Sequence, residues 1–208
     1  MTSPQPFAEA AKRPRLLVVA GPNGSGKTSV TEQGLRHEWF RDCLYINPDN
    51  IARDRFGDWN SPEAVLNAAR LAESMREDAL ADGASVAFET VLSTEGKLDY
   101  LQRAKNAGYF IRLFFVGTES PAINAARITQ RFIKGGHEVP ITKIVARFAR
   151  SMANSVQAAR IADRAYFYDN TPDDKSARLI FRCKEGRVDK DYGALPAWAA
   201  PIRAALRR

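Results

Sequence analysis

Gly21-Pro22-Asn23-Gly24-Ser25-Gly26-Lys27-Thr28 fits the pattern G-x-x-x-x-G-K-[ST] in full, and its residue types announce their chemistry. Gly21, Gly24 and Gly26 let the backbone wrap closely around phosphates. A helix that opens at Lys27-Thr28-Ser29 would aim its free N–H groups at the same oxygens. Lys27 is expected to reach the β- and γ-phosphates, and Thr28 to offer its hydroxyl to Mg²⁺, so ATP with Mg²⁺ is the expected cofactor pair. The loop marks a triphosphate without saying what is done with it.

Three further groups could decide that. Asp49, in the cluster Asn47-Pro48-Asp49-Asn50, has two readings: a base that takes a proton from an acceptor hydroxyl, or an Asx-turn residue in a turn-rich segment. Glu89 and Thr90 end an apolar run, where a carboxylate could face a metal-bound water or a substrate hydroxyl. Arg127, Arg131 and Lys134 recur at i, i+4 and i+7, so they share one helix face. Periodicity alone favours a plain basic helix face; in the other reading, two guanidiniums converging on a triphosphate would neutralise charge as the phosphoryl group leaves. Gly135-Gly136, His137 and Pro140 follow, a composition suited to a hinge, so a lid is expected around 127–140 with His137 as a candidate substrate contact.

These groups need a scaffold that gathers them. LLVVA (16–20), CLYI (43–46), SVAF (85–88), YFIRLFFVG (109–117) and RAYFYDN (164–170) read as strands. Between them lie helical stretches, among them one that starts at Ser61-Pro62 and stops at Gly83, with Val65, Ala68 and Ala72 on its buried face. Another runs from Pro121 to Ile133, and a third from about Ile141 to Ala159. Beyond these, 179–191 reads as a strand and a Gly-centred turn, and the last residues as a short helix. Alternation of this kind predicts an α/β fold of three layers, a mainly parallel central sheet flanked by helices. In such sheets ligands bind beyond the C-terminal strand ends, so GPNGSGKT, NPDN and Glu89-Thr90 should meet in one site. Asp169-Asn170, at the end of a late strand, has two readings, a contact to the base or ribose and, the favoured one, a cap for the turn before Pro172.

Composition narrows the class. The 208 residues are 45% hydrophobic and 26% charged, an ordinary globular mixture sized for one domain over 15–208 after a flexible lead-in at 1–14. No apolar run is long enough to span a bilayer and no signal peptide is evident, so no membrane partner and a cytoplasmic location are expected. Two cysteines without CxxC spacing argue against a zinc site or a disulfide framework. The net charge of +7 suits a basic surface around a phosphate site better than dedicated nucleic-acid binding, because the positive residues are scattered.

In GPNGSGKT, INPDNIA, FETVLS, RITQRFIKGGHEVP, RFARSMAN and YDN, the chain resembles the zeta toxin family of P-loop kinases, specifically its standalone chromosomal branch. The resemblance runs through residues 16–170 and implies a kinase-like P-loop fold that uses ATP and Mg²⁺. It implies transfer of the ATP γ-phosphate to a small-molecule hydroxyl, with UDP-N-acetylglucosamine the acceptor of better-known members, and an antitoxin protein among the partners. Position by position, it gives Asp49 the role of base, Lys27 and Thr28 the phosphate and Mg²⁺ roles, and Arg127 and Arg131 the lid clamp; Glu89 and Thr90 match the region facing the acceptor. The acceptor of the standalone branch is not implied. A transporter-type motor lacks support, since no LSGGQ-like signature occurs, and no NKxD motif supports a GTPase. An ATPase or kinase acting on nucleic acid stands as the alternative.

Overall fold

The computed structural model describes residues 13–57, 61–133, 140–173 and 176–206. Its centre is β1 (Arg15–Ala20), whose run alternates sides: Leu16, Val18 and Ala20 enter one core, Leu17 and Val19 the other. A strand apolar on both faces can only be satisfied inside a sheet covered on both sides. β1 is flanked in parallel by β3 (Val86–Thr90) and β4 (Phe110–Gly117); β2 (Leu44–Ile46) lies outside β3, and β5 (Arg164–Asp169) outside β4. The Gly-centred turn expected near residue 185 joins β6 (Arg178–Lys184) to β7 (Arg187–Asp191), an antiparallel pair that extends the sheet to the order β2-β3-β1-β4-β5-β6-β7.

The two faces are covered unequally. On one lie α3 (Pro62–Ala81), α4 (Glu95–Asn106), α6 (Ile141–Ile161) and α7 (Ala200–Ala205), around a core that includes Tyr109, Phe115, Phe167 and Phe181. The other is covered by α1 (Lys27–Gly34) and a short 3₁₀ turn (Glu38–Phe40), with Phe40, Phe114 and Tyr166 beneath them. In α3 the Ser61 hydroxyl accepts from Ala64 N–H and Pro62 stands at the first helical position. Its buried stripe is Ala64, Ala68, Ala72, Arg76 and Ala79, while Val65, which the sequence placed on the buried face, is 39% exposed. Among the described residues, no helix is long and apolar enough to cross a membrane.

Two helices leave the C-terminal edge of the sheet beside the phosphate loop: α2 (Pro48–Arg55) begins immediately after β2, and α5 (Pro121–Ile133) follows β4. α2 was not expected from the sequence. Asn47, read as part of a turn, is its N-cap and accepts from Asp49 N–H at 2.8 Å, with Pro48 in the first turn.

Candidate functional site

The loop from Gly21 to Thr28 rises from β1 and enters α1 through Gly26, which sits in the left-handed region at φ 91°. A side chain at Gly26 would strike the Asn170 amide, so glycine is required there for packing as well as for dihedral reasons. The loop is tied down from three directions. Gly21 N–H donates to Thr90 O at 3.2 Å, linking it to the end of β3. Asn124, buried in the first turn of α5, donates from Nδ2 to Asn23 O at 2.7 Å and accepts from the Thr118 hydroxyl. Asn170, just past β5, donates from Nδ2 to Ser25 O at 2.8 Å. Two loop carbonyls and one loop N–H are thereby satisfied by remote partners, which fixes the path of the backbone between β1 and α1.

Lys27 is half-buried and folds back, its Nζ donating to Gly21 O and Pro22 O at 3.0 Å each. Burial lowers its pKa to about 8; Arg131 pushes the same way, and the carboxylates of Glu89 and Asp49 oppose them. An incoming phosphate would restore the full charge. Thr28 Oγ1 donates to Glu89 Oε2 at 3.3 Å, placing hydroxyl and carboxylate side by side. The other Glu89 oxygen accepts from the Tyr45 hydroxyl at 2.9 Å.

A cavity of about 540 Å³ opens over the loop. Its walls bring together Asn23, Gly24, Gly26, Lys27, Thr28 and Ser29 from the loop, Asn47, Pro48 and Asp49 from the β2–α2 junction, Glu89, Thr90 and Val91 from the end of β3, and Arg127 and Arg131 from α5. The three polar strand ends therefore meet in one place. Pro22 and Ser25 are buried beneath the surface and shape the loop from within. Thr90 lines the cavity, but its hydroxyl accepts from Leu92 N–H at 3.1 Å and so also shapes the chain after β3. There Leu92 takes a positive φ of 56°, and Asn154 Nδ2 holds its carbonyl at 3.0 Å. Asp49 is exposed on the first turn of α2.

Arg131 is exposed at the cavity mouth, whereas Arg127 is 19% exposed and already engaged. Its Nε donates to Asp173 Oδ1 at 2.6 Å and its Nη2 to Thr171 O at 3.2 Å. Arg127 also borders a second cavity of about 600 Å³ on the far side of the loop, lined by Ser29, Val30, Gln33, Asn170, Pro172 and Asp173 among others. Lys134, Gly135, Gly136 and His137 lie outside the described residues, and with them the centre of the expected lid.

Three contributors escaped the sequence reading. Asn170 braces the loop rather than capping the turn before Pro172; that turn is held by Asp169, whose Oδ1 accepts from Thr171 N–H and Oγ1. Asn124 left a faint signal, a polar residue four positions before Ile128 on the same buried stripe of α5. Tyr45 left none, because an aromatic in a strand reads as core.

The sequence pattern of the family described as Zeta toxin matches residues 1–174. An uncharacterized protein of Haemophilus influenzae is 27% identical over 125 residues, 59% of this chain and 84% of its own length. A solved structure from the PezAT chromosomal toxin–antitoxin system of Streptococcus pneumoniae superposes with a TM-score of 0.61 at 20% identity, covering 91% of this chain and 76% of that one. The AvrRxo1-ORF1:-ORF2 complex solved with ATP gives a TM-score of 0.63 at 19% identity, covering 93% of this chain and 76% of that one.

Proposed function

The chain belongs to the Zeta toxin family, kinase-like enzymes built on a P-loop, and from that premise we propose that it transfers the γ-phosphate of ATP to a hydroxyl of a small molecule, a nucleotide sugar such as UDP-N-acetylglucosamine. The observation that carries this reading is the shared cavity: Lys27, Thr28 and Glu89 stand on one side of it, and the exposed carboxylate of Asp49 lines it too.

In this reading the loop N–H groups and Lys27 hold the triphosphate in line. Asp49 accepts the proton of the acceptor hydroxyl as that oxygen attacks the γ-phosphorus, and the bond to the β-phosphate oxygen breaks. Arg131 and Arg127 neutralise the charge spread over the transferring group. The nucleoside end of ATP reaches into the second cavity, between α1 and the Asn170–Asp173 segment. Thr28 and Glu89 offer a hydroxyl and a carboxylate, hard oxygen donors that suit Mg²⁺. Among the described residues there is no group of three or more His, Cys, Asp or Glu that could hold a metal, so Thr28 and Glu89 are the residues that would hold Mg²⁺ beside a bound nucleotide. Mg²⁺ held there would supply positive charge that offsets the negative charge of the transferring phosphate.

The likeness to a chain of the PezAT toxin–antitoxin system supports a protein antitoxin as partner. The test is ATP consumption and product mass with a panel of UDP-N-acetylglucosamine, other nucleotide sugars, nucleosides and short RNA or DNA. Asp49→Ala should lower acceptor phosphorylation by about 10²–10⁴-fold while leaving ATP binding nearly intact. Full transferase activity in Asp49→Ala would remove it as the base. Stimulation by nucleic acid alone would replace the small-molecule acceptor.

A further inference from the structure

The Thr28–Glu89 pair is the end of a longer chain of contacts. Glu89 Oε1 accepts from the Tyr45 hydroxyl at 2.9 Å, the Tyr45 oxygen accepts from Asn47 Nδ2 at 2.9 Å, and Asn47 Oδ1 accepts from Asp49 N–H at 2.8 Å. Four side chains thereby connect the phosphate loop to the first turn of α2, which carries Asp49. Tyr45 is the middle link. Its ring packs against the core beneath α1, and its hydroxyl is not among the groups lining the cavity. With Asn47 Nδ2 donating to the phenol oxygen, the phenol proton is directed at the Glu89 carboxylate.

Without that donor, one Glu89 oxygen loses the hydroxyl that orients it, and Asn47 loses the acceptor that fixes its amide. Both the metal-facing carboxylate and the cap of α2 then gain freedom. We propose that Tyr45 is a positioning residue that couples the metal end of the site to the acceptor end, a proposal that rests on the kinase reading above. It lies behind the residues that line the cavity and acts through Glu89 and Asn47.

Tyr45→Phe keeps the ring and its packing and removes only the oxygen. The first readout is Mn²⁺ affinity of the complex with a non-hydrolysable ATP analogue, followed by electron paramagnetic resonance. It should weaken roughly fivefold, the value of about one hydrogen bond, while affinity for the analogue without metal stays unchanged. Asn47→Ser retains an oxygen that can cap α2 but loses the donor to Tyr45. It should weaken Mn²⁺ by a smaller factor, and the double variant should be no worse than Tyr45→Phe alone, because both break one chain. Unchanged Mn²⁺ affinity in Tyr45→Phe, or losses that multiply in the double variant, would overturn the coupling. A wild-type protein that phosphorylates nothing in the acceptor panel sinks the kinase reading instead, and the Mn²⁺ affinities still decide whether Tyr45 orders this end of the site.

Discussion

The phosphate loop and the α5 arm face each other across one cavity, yet they are built in opposite ways. The loop is braced by an acceptor at the end of β3 and by donors from α5 and the end of β5, with Ser25 fully buried. The arm presents Arg131 to solvent, and its other arginine is occupied with Asp173. Pre-organisation lowers the entropy of binding, so the loop should supply ground-state grip. Cations that find their partner only once charge develops contribute to the rate instead. In the proposed kinase reading, affinity should then rest on the loop and turnover on the arm.

Replacing Arg131 with Ala tests that division most severely. The turnover number should fall about 10²–10³-fold with ATP affinity changed little. If ATP affinity falls by a comparable factor, the arm belongs to the cradle and the division fails. Asn170→Ala probes the opposite side with a smaller effect. Losing the donor to Ser25 O leaves that carbonyl without its partner, so ATP affinity should weaken roughly tenfold with turnover nearly unchanged, as titration and steady-state rates would show.

The smallest effect concerns the resting loop. Burial first, and Arg131 second, hold the Lys27 pKa near 8 against an ordinary value of 10.5. Between those pH values the unfolded chain binds more protons than the folded one, so stability rises with pH across that window; below pH 8 the whole cost of the half-buried ammonium remains. Lys27→Met should therefore raise the nucleotide-free melting temperature at pH 7 by about 2–4 °C, for roughly 1 kcal/mol after allowing for solvent. The gain should vanish near pH 10.5 in a thermal melt series. A melting temperature that drops at pH 7 would mean the two carbonyl bonds of Lys27 outweigh its desolvation.

Local patterns made much of this architecture readable. Apolar runs gave the parallel strands, Pro121 and Ile133 bound α5 as expected, and the polar ends of three strands line one cavity. Reading failed where one composition serves two structures. Asn-Pro-Asp suits a turn and a helix start equally, and only the residues after it, with Ala52 buried and Arg53 and Arg55 in the last turn, settle it as α2. It failed again where partners are remote: Asn124 and Asn170 act on carbonyls 101 and 145 positions away. No window of sequence contains both halves of such a contact. The reach of Tyr45 to Glu89, 44 positions on, was hidden in the same way.

That remoteness has a consequence in time. GPNGSGKT is made early, but its braces are made late, and β1 cannot be enclosed before both β3 and β4 exist to flank it. A growing chain that stops short of Asn124 carries every residue of the phosphate motif and none of the side-chain donors that hold it open. Long-range parallel pairing is slow to assemble in any case. The order of synthesis thus acts as a delay: the chain acquires a fully braced phosphate loop only after Asn170 has been added, 145 positions beyond the carbonyl it holds.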